Sequence, residues 1–169
     1  MTSRVNEANM DGDPEDICRI LAEHKACRVR SKAEKSWILG ADTLVAIENQ
    51  VLGKPEDDEK ARYMLRLLSG KEHRVITGFC ILNPSGPIAH SGSVTTLVQV
   101  KKLTDKEIRA YIRTGEPYGK AGGYAIQGIG SFMVEAISGS YTNVVGLPLC
   151  ALTKALVSAG ALKKFPISP

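Results

Sequence analysis

Apolar positions along this chain change their period several times, and each change marks an element. Residues 37–47 (WILGADTLVAI) begin and resume as apolar, β-rich runs, which predicts a buried strand. Glu48-Asn49-Gln50 supplies turn residues, and Val51 and Leu52 return as apolar positions leading to Gly53-Lys54-Pro55. A hairpin is therefore expected there. Ahead of it, Asp13-Pro14-Glu15-Asp16 predicts a helix start, with an Asp cap, proline at the first helical position and acids in the first turn. Ile17, Leu21 and Lys25 then share one face of that helix. After the hairpin, Asp57 or Asp58 opens a second helix with Ala61, Met64, Leu65 and Leu68 as its buried stripe and Gly70 at the C′ position. Strands are expected over 75–82 and 88–100, around the turn Asn83-Pro84-Ser85-Gly86. Val94, Thr96, Val98 and Val100 fall on one face of the second. Thr104-Asp105-Lys106-Glu107 is a capping box for a helix containing Ile108, Tyr111 and Ile112 and closing near Gly115. A strand through Phe132, Val134 and Ile137 and a helix over 149–159 complete the pattern, between a loose start and a frayed tail. Strands and helices alternate while hairpins dominate the middle. The expected class is α/β, a mixed twisted sheet flanked by helices.

Composition narrows this without adding to it. A chain of 169 residues is one ordinary domain, and 43% hydrophobic with 24% charged residues is a soluble globular balance. The net charge of +4 suits an anionic small substrate. No lysine–arginine block is interleaved with aromatics, which argues against a dedicated nucleic-acid binder. No apolar run approaches about 18 residues, so no membrane span is expected, and the polar, acidic start carries no signal peptide. Cys18, Cys27, Cys80 and Cys150 make no CxxC pair, and His24, His73 and His90 make no cluster. That argues against a zinc site and for free thiols in a reducing cytoplasm.

Two stretches carry candidate chemistry. Asp42 lies inside a predicted core strand, where a carboxylate loses several kcal/mol of hydration unless something pairs with it. The predicted hairpin returns Lys54 alongside that strand. Either the two face one cleft as acid and base, or they form a structural ion pair. Lys25, on the apolar stripe of the first helix, either snorkels at the rim or points into the same cleft. The second stretch, residues 115–148, holds eight glycines, dense enough for backbone to approach a ligand closely. Lys120 and Gln127 are its candidate substrate-binding groups. Residues 115–120 fall one short of a phosphate-loop spacing and Ala121 replaces its hydroxyl residue, so that motif is rejected. Gly128-Ile129-Gly130 is half of a dinucleotide fingerprint and carries little weight.

GADT at 40–43, LGKP at 52–55, LSG at 68–70, TGEP at 114–117 followed by KAGGYAIQG at 120–128, and GSYTNVVGLP at 139–148 together resemble the Maf family of nucleoside triphosphate pyrophosphatases. The resemblance covers roughly residues 5–160. It implies a fold like that of the inosine triphosphatase family, two lobes around a cleft, and hydrolysis of a nucleoside triphosphate to monophosphate and pyrophosphate with Mg²⁺ or Mn²⁺. By resemblance, Asp42 is the base that activates water, and Lys54 and Lys25 bind phosphate. Glu7, in Val5-Asn6-Glu7 where the family has VDE, is a metal or water ligand beside Asp42. In the dTTP/UTP branch the positions of Thr43 and Gln127 help select the base, whereas the 7-methyl-GTP branch departs there, so the pyrimidine branch is implied. A cytoplasmic homodimer is implied as well.

The family pattern also has a strand and an SxSPRR loop ahead of its first helix, and these are not in this sequence. The expectation is one Maf-like domain over 1–169, shortened on its N-terminal side. Its phosphate-binding arginines would be missing and one strand edge left unpaired, with a partner or swapped copy able to fill the gap. Two functions stand on this footing: an active dTTP/UTP pyrophosphatase, or a non-hydrolysing nucleotide-binding or cell-division (septum) regulatory protein.

Overall fold

Asp13 starts the first helix as its neighbours require. In the computed structural model, which describes residues 12–163, its carboxylate accepts from the Glu15 N–H at 3.0 Å and Pro14 takes the first helical position, giving α1 (Pro14–Val29). Glu15 then pins this end to the sheet, accepting from Arg74 at 3.1 and 3.3 Å and from the Thr95 hydroxyl at 2.9 Å.

Five strands follow among the described residues: β1 (Ile38–Ile47), β2 (Gln50–Leu52), β3 (Glu72–Leu82), β4 (Ile88–Val100) and β5 (Val134–Ser138), in the spatial order β2-β1-β3-β4-β5. The mixed sheet expected from the sequence is antiparallel in every ladder among the described residues. Tight hairpins account for two of those ladders, since a parallel pair needs a long crossover. In the β1–β2 hairpin Ile47 pairs with Gln50, and Glu48 takes the left-handed φ of 52° that a two-residue turn demands.

Side chains alternate between the faces of each strand. On one face Leu44, Ala46 and Ile76 pack against Ile17, Cys18 and Leu21, while Ile38, Cys80 and Leu82 pack against Ala22 and Ala26. Between these groups sit Gly40 and Gly78, and they set how deep α1 lies. A Cβ on Gly40 would stand 2.2 Å from the Ala22 carbonyl oxygen, and one on Gly78 would stand 2.3 Å from the Cys18 backbone. The helix backbone thus rests directly on the strands, a placement that any side chain at either position would block.

The opposite face is covered by α2 (Asp58–Leu68), α3 (Asp105–Ile112), α4 (Tyr141–Val145) and α5 (Leu149–Ser158). Met64, Leu65, Leu68, Val98, Val100, Ile108 and Tyr111 form the main core there, and Phe79 and Ile81 meet Leu152 and Ala155 of α5. Asp57 caps α2, and the Thr104–Glu107 capping box opens α3. Two details depart from the sequence reading. Phe132 lies in a 3₁₀ turn (Ile129–Met133) and is exposed, the strand starting only at Val134. The short helix α4 occupies a segment read as glycine-rich loop; Ser140 caps it and Gly146 ends it at φ 118°.

Candidate active site

Because β2 is three residues long, it pairs with β1 only from Val45 to Ile47. Among the described residues, the outer edge of β1 from Ile38 to Leu44 therefore has no strand beside it. A cavity of about 280 Å³ wraps around this edge. Asp42 and Thr43 point to opposite faces of β1, yet both line it. Lys25 joins them from α1, Lys54 from the segment after β2, Lys120 and Gln127 from the glycine-rich segment, and Val144 to Gly146 from the end of α4. All six described candidates thus share one cavity. Glu7 lies outside the described residues.

Asp42 is 7% exposed. Its Oδ1 accepts from Lys25 Nζ, which also donates to the Ala41 carbonyl at 3.3 Å. Lys25 thus lines the cleft with its side chain half exposed, and the partner of Asp42 is Lys25 rather than Lys54. Asp42 Oδ2 is buried and finds no donor among the described residues. A buried carboxylate oxygen without a partner is costly, and such atoms mark where water, an ion or a ligand belongs. Lys54 and Lys120 form no ion pair with a carboxylate among the described residues. The cavity therefore presents three ammonium groups against one carboxylate. Such a lining attracts a polyanion.

Thr43 is fixed by the fold. Its hydroxyl lies 2.9 Å from the Thr77 hydroxyl and reaches the Gly146 carbonyl at 3.5 Å, while Thr77 donates to the Asn143 carbonyl at 3.2 Å. Asn143, fully buried, donates to the Val75 carbonyl and to Thr96 Oγ1, both at 3.0 Å. This chain of bonds crosses β1, β3 and β4 and holds α4 against the sheet, which places the Val144–Gly146 wall.

A second brace holds the wall that carries Gln127. Glu116 Oε1 accepts from the Ile129 N–H at 2.8 Å; its Oε2 accepts from the Gly130 N–H at 2.7 Å and the Tyr111 hydroxyl at 2.8 Å. The Tyr111 oxygen in turn accepts from the Ala125 N–H at 3.2 Å. Burial works against the Glu116 carboxylate, but the bonds from Gly130, Tyr111 and Ile129 outweigh it and hold its pKa below the ordinary value. Gly128 makes the approach possible, since a Cβ there would fall 1.9 Å from Glu116 Oε1. Sequence reasoning passed over Glu116, Tyr111 and Asn143. The available signal was a carboxylate, Glu116, placed after a helix end in a segment with few other acids.

Tyr124 also lines the cavity, and its hydroxyl lies 2.8 Å from Nε2 of buried His73. Burial pushes the imidazole down to about 4, so it is neutral near pH 7, and burial raises the Tyr124 phenol.

Comparison with known proteins agrees with the motifs that line this cavity. Residues 1–159 match the Maf family, described as Maf-like protein. A curated relative from Syntrophotalea carbinolica, named dTTP/UTP pyrophosphatase, is 50% identical over 136 residues, which is 80% of this chain and 62% of that protein. Relatives of the same name from Ruminiclostridium cellulolyticum (48% over 144 residues) and Thermococcus gammatolerans (50% over 143 residues) each match 85% of this chain, and 75% and 76% of their own lengths. The chain thus spans less than two thirds of the first of these and about three quarters of the others. With the family match running from residue 1 to residue 159 of 169, and the cavity lined by the motifs that carried the resemblance, this chain belongs to the Maf family.

Proposed function

We propose that this chain is a nucleoside triphosphate pyrophosphatase acting on dTTP and UTP. The observation that carries the reading is the unpartnered Asp42 Oδ2 inside a cavity lined by Lys25, Lys54 and Lys120. A triphosphate brings several negative charges, and lysines facing its phosphoryl oxygens neutralise charge as the transition state forms. Asp42 Oδ2 accepts a proton from a water placed in line with the α-phosphorus. The water oxygen bonds to that phosphorus, the α–β anhydride bond breaks, and its electron pair leaves with pyrophosphate. Lys25 fixes the other carboxylate oxygen, so the carboxylate is oriented by the helix it faces. Gln127 and Thr43, which both line the cavity, help select the base, consistent with the names of the relatives.

Among the described residues no three acids, histidines or cysteines gather to hold a metal. The donor set nevertheless fits Mg²⁺ or Mn²⁺. Such ions take one or two carboxylates with substrate phosphates and water, and Oδ2 has lone pairs for both a cation and a water proton. Asp42, with Glu7, would hold the ion, which supplies further neutralisation of phosphate charge. The reading extends to a homodimer in the cytoplasm, supported by the edge of β5, which has no neighbouring strand among the described residues and leaves Ile137 exposed, and by four free cysteines. No helix among the described residues is long and apolar enough to cross a membrane.

The test is pyrophosphate release from a panel of canonical triphosphates with Mg²⁺ and then Mn²⁺. Turnover of dTTP and UTP above the purine nucleotides is expected. Nucleotide binding with no turnover of any triphosphate by the folded chain would favour the regulatory alternative.

A further inference from the structure

A second cavity, about 200 Å³, opens between α2 and α3 and shares no lining residue with the first. Its walls are Asp58 and Arg62 of α2, Arg109 and Ile112 of α3, and Arg113 at the C-cap of α3. The arginines come from i, i+4 positions on one helix and from the facing helix, so the packing of α2 on α3 gathers them. Arginine stays charged at any ordinary pH.

The nearby acids do not answer this charge. Asp58 accepts from the Tyr118 hydroxyl, and Asp105 is held by Arg66 through Nε at 3.2 Å and Nη2 at 2.8 Å. Arg62 and Arg109 feel Asp105 only at longer range, and Arg62, Arg109 and Arg113 form no ion pair among the described residues. One donor is stranded. The Arg62 Nε–H is fully buried and has no acceptor among the described residues. Counting Asp58 against the three guanidinium groups leaves two positive charges on one small concavity.

We propose that this cavity binds a phosphoryl oxyanion, as free phosphate or diphosphate or as the phosphate of a small metabolite. Guanidinium forks match the spacing of phosphate oxygens. A carboxylate brings one charge and two oxygens, too few to engage three forks, whereas a phosphate brings about two charges and three or four oxygens. Ile112 closes one side with an apolar contact and leaves the arginines to select by charge. The site stands apart from the substrate cavity and does not depend on the pyrophosphatase reading.

The test uses the full chain labelled with ¹⁵N, titrated with orthophosphate, pyrophosphate and UMP against chloride at matched ionic strength. The expected result is saturable shifts of the amides over 58–66 and 105–114 and of the Arg62 Nε–H, with Kd at or below about 1 mM. Those shifts should persist in Lys54→Ala, and the affinity should fall at least about tenfold in Arg62→Gln and in Arg109→Gln, the loss of one charge-assisted contact. The ranking of the three probes identifies which phosphate source fits best. Shifts confined to the surroundings of Asp42 and Lys54, or matched by chloride alone, would overturn the proposal, and the unsubstituted chain decides this even if a variant fails to fold.

Discussion

The two walls of the substrate cavity are built on different principles. One consists of regular elements: Asp42 on β1, Lys25 on α1, and Lys54 just beyond the β1–β2 hairpin. Its geometry comes from backbone ladders and from α1 pressed onto Gly40 and Gly78. The other wall, with Lys120, Gln127 and Gly146, consists of turns, 3₁₀ segments and the end of the short helix α4, whose backbone is held by side chains, chiefly Glu116, Tyr111 and Asn143. A wall of ladders fixes a reacting group against displacement, while a wall tied by a few side chains can be adjusted residue by residue. In the proposed reaction, chemistry belongs to the first wall and substrate fit to the second.

The sharpest break in that comparison is Asp42→Asn. The amide cannot take a proton from water, so turnover should fall about 10²–10⁴-fold with the fold intact, judged by steady-state kinetics and circular dichroism. Next comes Gly78→Ala. The new Cβ would meet the Cys18 backbone at 2.3 Å, so α1 must lift, at a cost of about 1–3 kcal/mol or more. Urea unfolding should register that loss, and Lys25 should leave Asp42, lowering turnover as well. Unchanged stability would show that α1 is not seated by glycine.

A third prediction concerns pH. Burial holds His73 at about 4 in the folded chain, against about 6.5 when unfolded. Between these values the unfolded chain binds a proton that the native one does not. The stability contributed by neutral His73 is therefore complete above about pH 6.5 and is lost as pH falls towards 4, roughly 3 kcal/mol in all. His73→Gln should flatten this part of the curve of unfolding free energy against pH, and identical curves would refute the assignment. A smaller effect is expected from Glu116→Gln. Three donors converge on this carboxylate, and an amide replaces one acceptor oxygen with a donor, leaving a mismatch worth about 1–3 kcal/mol in the brace. The Gln127 wall should loosen, and KM for UTP should rise more than kcat falls.

The contrast also explains what could be read from the chain. Asp13, Asp57 and Thr104 announced their helices because caps act within a few residues. Asp42 stood out as a charge in an apolar strand, and Lys54 followed from the hairpin. The pairing of Asp42 with Lys25 could not be read, since it depends on how deep α1 sits, which Gly40 and Gly78 decide against Ala22 and Cys18, far from them along the chain. Glu116 and Asn143 act through bonds to backbone N–H and carbonyl groups far along the chain, and such bonds leave no period in the sequence. Phe132 was misplaced because an apolar residue beside a strand gives the same local signal inside a 3₁₀ turn.

The division of labour between the walls is tested most directly by kcat and KM for UTP in Asp42→Asn and Glu116→Gln, measured side by side with the unsubstituted chain. A collapse of kcat with little change in KM is expected for the first, and a raised KM with kcat largely kept for the second. Turnover surviving in Asp42→Asn, or a loss of kcat alone in Glu116→Gln, would contradict it.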